Sequence, residues 1–372
     1  MTCKSRNCLV ISLFMPLGTL CTPPGADEVR CGDLECLQRT TSAVKVCDVM
    51  LYGAVPDGYT PSTRYIKKAI EDCAKTANRE EPSIVSLPPW GIPGSVDVYL
   101  TAPFNLSAFV KIRIEKGVQL RGSSNLLDYD VVAALPSYGI NQENHSVSAR
   151  LQPLIGGWQV SGAEVEGPGV IDGDGISWWN RQADGAGSAA KGWLGRPSLI
   201  ELVDCKDVKV HKLNILNPAR WGVHLYATVG ATISDVTVNA TSTAPETAAV
   251  ILDSSKDVLV ERVVADVSDS GVSIGVKSGL NFLGRKFGRP AAGIVVRGSY
   301  LVQPFLIGPE ICGGAANVTL RDSVLGLPSP PQPFLRTFIG NARNTSRVSA
   351  GIDIINQRGC GNVPALLLIP GH

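Results

Sequence analysis

Five stretches of one texture recur in the C-terminal half of the chain: DVKVHKLNIL (207–216), GATISDVTVN (230–239), KDVLVERVVA (256–265), AGIVVRGSYL (292–301) and ANVTLRDSVL (315–324). Each is a short apolar alternation, a polar break and a second alternation. Alternation marks a half-buried strand, because successive side chains on a strand point to opposite faces. Several successive copies stand about 24 or 25 residues apart, a period in the range of solenoid repeats, with no helical pattern between them. The longer step from the third copy to the fourth contains GLNFLGRKFGRP, read as a loop. Hairpin sandwiches would place Asn-Gly or Asp-Gly turns at shorter spacing. The expected fold is therefore all-β: a single-stranded parallel β-helix in which each coil pairs only with its neighbours.

Such a stack has two raw ends, and uncovered strand edges template aggregation. PSTRYIKKAIEDCAKTAN (61–78) reads as a short N-terminal capping helix, with Ile66, Ala69, Ile70 and Cys73 on one face. At the other end, VSAGIDIINQ gives one more alternation. GCGNVPALLLIPGH then leaves little to cover the last coil. From about residue 84 the texture is strand and turn, with a variable inserted stretch at 124–152. The expected organisation is a leader over 1–45, the β-helix over 46–360 and a tail over 361–372.

The formal net charge is +1. That near balance argues against nucleic acid as the main partner. Cys3, Cys8, Cys21, Cys31, Cys36, Cys47 and Cys73 crowd the front, and only Cys205, Cys312 and Cys360 follow. Their irregular spacing, with no matching histidine pairs, points to disulfides and away from zinc. Lys4 and Arg6 precede the apolar run CLVISLFMPLGTLCT, the order of a secretory signal and too short for a membrane span. Asn-x-Ser/Thr triplets begin at Asn105, Asn144, Asn239, Asn317 and Asn344, which fits a secreted glycoprotein.

The order of segments resembles glycoside hydrolase family 28, the polygalacturonases and their relatives, and its plant-like branch most. The matching stretches include DVMLYGAVPDG, IEKGVQLRGSS, GPGVIDGDGISWWN, RPSLIELVDCKDVKV, LNPARWGVHL, VILDSSKDVLVE, KSG…FGRP and Glu310-Ile-Cys-Gly-Gly. The resemblance implies a right-handed, pectin lyase-like β-helix. It also implies a secreted, monomeric cell-wall protein acting on pectic polysaccharide or oligogalacturonide, with no cofactor, no metal, no nucleic acid and no membrane partner.

The family cleaves galacturonosyl bonds with inversion, which takes one carboxylic acid for the leaving oxygen and carboxylates opposite it to activate water. The family draws them from Asn-Thr-Asp-Gly-x-Asp on one coil and Gly-Asp-Asp on the next. Read without gaps from His224, the first motif falls on ETAAVI (246–251), with Glu246, Ala248 and Ile251 at the Asn and the two Asp positions. The same register puts Asp269 at the first Asp of the pair and Ser270 at the second. Counting back from KSG lands the pair on Gly271 and Val272 instead. The first register is preferred because it keeps GVSI in the strand alternation.

Asp269 is thus the candidate catalytic acid. Gln303 stands at the family's histidine and Arg336 in its Arg-x-Lys slot. Lys277 in KSG and His224 near the groove complete the candidate substrate contacts. The plainer readings are a turn aspartate for Asp269, a surface arginine for Arg336, a coil-end lysine for Lys277 and a packing histidine for His224. Asp172 and Asp174 in IDGDG resemble a fragment of a calcium loop, but the family uses them as turn scaffolding. Two functions follow: a hydrolase of galacturonan or rhamnogalacturonan, or a non-catalytic pectin-binding or structural protein descended from one.

Overall fold

The structure is a computed structural model, and the residues it describes are 44–91, 96–135, 149–183, 195–241, 244–245, 247–268, 272–275, 291–301, 305–308 and 315–325, with strand backbone at 346–348, 352–354 and 366–367. Lys45–His372 forms one compact unit. Its architecture is the expected right-handed parallel β-helix. Through the body of the stack each coil gives one short strand to each of three sheets, as in Ile200–Val203, Lys209–His211 and Asn214–Leu216. The next coil repeats this order with Trp221–Tyr226, Val229–Ser234 and Thr237–Asn239. The third sheet below is the one that takes Ile200–Val203 and Trp221–Tyr226; the first and second take the other two strands of each coil. Crossovers between parallel strands are right-handed because twisted strands close onto the sheet only that way.

The polar break inside each repeat is a corner between the first and second sheets. It is a single residue in the left-handed region: Lys212 (φ 56°), Asp235 (54°), Arg262 (52°), Gly298 (58°) and Asp322 (50°). That conformation costs a non-glycine residue about 1–2 kcal/mol. The first four donate their backbone N–H to the next coil, which recovers part of any such cost: Lys212 to Ser234 O (3.0 Å), Asp235 to Glu261 O (3.1 Å), Arg262 to Arg297 O (3.1 Å) and Gly298 to Arg321 O (3.3 Å). Arg262 also forks onto Asp235 through two bonds of 2.6 and 2.8 Å.

The parallel register stacks like on like. In the first sheet Val85, Ile112, Val165, Val210, Ile233, Val260, Val296 and Leu320 occupy successive coils at one position. All are buried. This aliphatic column, with Leu120, Ile171, Ile215 and Val238 from the second sheet and Phe104, Ile155, Ile200 and Val223 from the third, is the core.

The N-terminal cap is the helix Thr63–Ala74, whose buried face is Ile66, Ala69, Ile70 and Cys73, as the periodicity predicts. Cys73 is bonded to Cys47 in the first strand, Val46–Asp48. At the far end the chain turns back. Ser346–Val348, Ile352–Ile354 and Leu366–Leu367 run antiparallel to the last strand of each sheet. Within VSAGIDIINQ the segment Ile352–Ile354 is therefore a reversed strand and not a further parallel coil, and at this end each of the three sheets closes with a strand of two or three residues. Short edge strands are poor templates for other chains.

The Cys47–Cys73 bond closes a separation of 26 residues, for which loop-closure entropy gives about 3–4 kcal/mol. Cys73→Ser is expected to lower unfolding stability by that amount in urea titration. Wild type in reductant should unfold at the midpoint of the variant. A variant midpoint equal to that of oxidised wild type would refute the cap's covalent role.

Candidate functional site

The outer face of the third sheet carries the polar residues that the coil interior does not need. Along Trp221–Tyr226, Val223 and Leu225 enter the core and His224 faces out. Gly222 also turns inward: a Cβ there would stand 3.3 Å from Val238 Cγ1 and 2.7 Å from Ala249 O. This extra inward residue lets Trp221 face out beside His224, their rings edge to face at 4.7 Å. The next strand repeats the pattern. Ala248 and Ile251 pack on Trp221 in a cluster separate from the main core.

Two rows cross this face perpendicular to the strands. One runs Asn105, Gly156, Glu201, His224, Ile251; the other runs Trp158, Val203, Tyr226, Asp253. Glu201 and His224 are 2% and 1% exposed, and Asp253 is 1% exposed. Arg150 Nη1 stands 2.5 Å from Glu201 Oε1, a charge contact without the alignment of a hydrogen bond. His224 Nδ1 donates to Glu201 Oε2 at 3.0 Å, and Ser198 Oγ donates to the same oxygen at 3.4 Å. On its other side His224 Nε2 is 4.0 Å from Asp253 Oδ2, whose Oδ1 accepts from Ser254 Oγ at 2.8 Å.

Burial pushes the Glu201 carboxyl up. The His224 hydrogen bond and the guanidinium groups of Arg150 and Arg220 more than reverse this, so its pKa lies below the ordinary glutamate value. Arg220 itself lies over the Trp221 ring at 4.0 Å. Arg196 donates to the carbonyls of Ala219 (2.8 Å) and Pro245 (2.6 Å), tying the entries of two adjacent strands together.

Chemically, this is a compensated charge chain under a sealed surface. Groups so buried and paired hold the face in one arrangement. Of the predicted contacts, His224 lies in this chain. Asp269, Lys277, Gln303 and Arg336 lie outside the described residues, as do Glu246 and Ser270. The strand Val272–Gly275 pairs Val272 with Val250 and Ser273 with Ile251, so it continues the sheet in register with the coil before it.

Asp172 and Asp174 prove to be local scaffolding. Asp172 accepts from Gln119 Nε2 (2.9 Å) and from the backbone N–H of Asp174 (3.0 Å), and Asp174 accepts from Ser177 Oγ (3.0 Å) in the helix Gly175–Ala183. Among the described residues no group of three or more His, Cys, Asp or Glu is placed to hold a metal ion.

Arg150, Glu201 and Asp253 are the members that the sequence reading passes over. The available signal was a charged residue inside the apolar run SLIELV, one coil before His224. A carboxylate in a strand buried on both faces needs a partner, and the partner is the residue stacked on it.

The sequence model of glycosyl hydrolases family 28 matches residues 99–298, more than half of the 372 in the chain. A protein described as a probable polygalacturonase of Vitis vinifera is 27% identical over 300 residues, covering 78% of this chain and 56% of that protein. An endo-polygalacturonase of Pectobacterium carotovorum subsp. carotovorum is 27% identical over 189 residues, covering 49% of this chain and 45% of that protein. The chain thus spans about half the length of these curated relatives. Among solved structures, an exopolygalacturonase of Thermotoga maritima superposes with a TM-score of 0.60 at 22% identity over 75% of this chain and 66% of that one. A polygalacturonase of Erwinia carotovora ssp. carotovora superposes at 0.57 and 22%, over 75% and 69%. Likeness at that identity shows the fold.

Glu201→Gln is expected to cost about 3–5 kcal/mol at neutral pH, because it leaves the Arg150 charge buried without its counter-ion. A carboxylate whose native pKa is depressed contributes stability that is complete above its unfolded value, about 4.3. That contribution is lost as pH falls through the native value. The gap between wild type and variant in urea midpoints should therefore narrow on acidification. A gap that widens below pH 4 would refute the ion pair.

Proposed function

The chain belongs to glycosyl hydrolases family 28, and from that premise we propose that it engages a pectic polysaccharide along the outer face of the third sheet, without hydrolysing it at the rate of a fully equipped glycosidase. The observation that carries this reading is the Trp221–Ala248–Ile251 cluster. By family register, Ala248 and Ile251 stand where carboxylates would activate water. Here two buried apolar side chains pack on an indole. Alanine and isoleucine neither hold a water nor accept its proton. Inverting hydrolysis needs both halves of the acid–base pair. Removing one general acid or base forfeits a factor of about 10²–10⁴.

Asp269 is proposed as the one retained acid, with Ser270 where its neighbour would be. Gln303 is proposed to position a sugar hydroxyl and Arg336 to clasp a uronate carboxylate through its two-pronged guanidinium. Lys277 adds positive charge, and His224 supports the face from beneath. The proposed setting is extracellular, in a cell wall, as a monomer. The exposure of Asn105, Asn239 and Asn317, each opening a glycosylation triplet, favours that setting. The competing reading, a working hydrolase of galacturonan, depends on Asp269 acting with an acid from elsewhere in the chain.

Two measurements on the purified chain separate these readings: reducing-end release from polygalacturonate, and calorimetric titration with an oligogalacturonide. Binding without release above background is expected, with Asp269→Asn leaving binding intact. Arg336→Ala should weaken binding by roughly tenfold, the scale of one charge-assisted contact. Turnover that Asp269→Asn abolishes would establish the hydrolase instead. Absence of binding to any pectic oligosaccharide would remove the substrate class.

A further inference from the structure

One aromatic ring on the third sheet is left uncovered. The strand Ile155–Trp158 sends Gly157 inward, where a Cβ would stand 2.7 Å from Leu202 Cδ2 in the core. Trp158, the next residue, therefore lies on the outer face, and it is 61% exposed. It begins the row Trp158, Val203, Tyr226, Asp253, beside the row that holds Glu201 and His224. Val203 next to it is outward yet only 3% exposed, and Tyr226 is half-buried. The row thus opens from a sealed end at Asp253 to a bare indole at Trp158.

The corner after this row is fixed. Gln159 (φ 54°) and Asp204 (φ 53°) turn successive coils out of the sheet in the same left-handed conformation. Gln159 N donates to Val203 O at 2.9 Å, and Asp204 N donates to Tyr226 O at 2.8 Å. Gln159 Nε2 donates to Asp204 Oδ2 at 3.0 Å, so the two side chains hold each other at the corner that follows Trp158.

We infer that Trp158 with the Gln159–Asp204 corner forms a stacking subsite for an uncharged pyranose ring of the glycan. The inference rests on the pectic reading above. The C–H face of a pyranose is apolar and lies well on the negative face of an indole, which gains area burial at little cost in side-chain freedom. Gln159 Oε1 and the Asp204 carboxylate can accept hydrogen bonds from ring hydroxyls, which supplies the few placed polar groups that an orienting site needs. The same carboxylate repels a uronate carboxylate. Two like charges in contact repel even in bulk water, and more strongly where protein excludes it. The ring on Trp158 therefore carries no charge, either as a neutral sugar unit or as a methyl-esterified galacturonate.

Three probes test this by fluorescence or calorimetric titration: an unesterified oligogalacturonide, its fully methyl-esterified form, and a rhamnogalacturonan oligosaccharide. Trp158→Ala is expected to weaken binding of at least one of the two probes with uncharged rings by about tenfold. It should leave the unesterified oligogalacturonide unchanged, and Trp158→Phe should restore most of the loss. Which probe responds tells whether the ring is a neutral sugar or an ester. Asp204→Asn should raise affinity for the unesterified probe. Melting curves equal to wild type are expected, since the ring is exposed. A Trp158→Ala loss equal for all probes, or no loss for any, overturns the subsite and leaves the pectic reading standing. Failure of every probe to bind wild type overturns both.

Discussion

The coil-to-coil backbone hydrogen bond governs this structure. A parallel strand meets all its pairing partners in the coils before and after it, so a shift at one corner would displace every residue beyond it. The corners therefore accept left-handed backbone in Lys212, Asp235 and Arg262, and each returns its N–H to the next coil. Because the register is locked, side-chain chemistry is dictated by what stacks. Valine and isoleucine stack inside as one column. Outside, on the first sheet, Glu164 is held between Lys111 (2.9 Å) and Lys209 (3.1 Å), and Glu166 takes Arg113 (3.1 Å). Like charges at those positions would repel across every coil.

The third sheet obeys the same register under a harder condition, because its strands are buried on both faces through the middle of the stack. Any charge there has to be neutralised by the residue stacked on it or beside it. Glu201 meets this condition through His224 and Arg150, and Asp253 is held next to His224 and Ser254. At Ala248 and Ile251, which carry no charge, the space is filled by Trp221. The face is consequently stiff and sealed at its centre. At its edge Trp158 meets solvent. A glycan laid across such a face would find shape and an aromatic surface in the described region.

Much of this was readable beforehand, and the reason is periodicity. The stretches such as DVKVHKLNIL are strands of the first and second sheets, and their polar breaks are the corners. The face of the capping helix was equally legible, since Ile66, Ala69, Ile70 and Cys73 follow its turn. The third strand of each coil was not part of the repeat. SLIELV and AAVILD are buried on both sides, so they show no alternation to read. The closing of the far end was also hidden. Two-residue and three-residue strands carry no period, and nothing in the string IDI says that it runs backward against Val318–Leu320.

The sequence by itself determined the coil: its alternations, its corner residues, its first helical cap and the family whose motifs it carries in order. The proposal that Ala248 and Ile251 stand in place of carboxylates rests on the sequence register alone. Only the tertiary structure decided which charges meet. Arg150 and Glu201 lie on segments far apart in the chain, and Glu201 reaches His224 only because one coil is laid on the next. The same stacking seals His224 under its neighbours and leaves Trp158 bare. Burial is set by the neighbours in space, which a string of residues does not order.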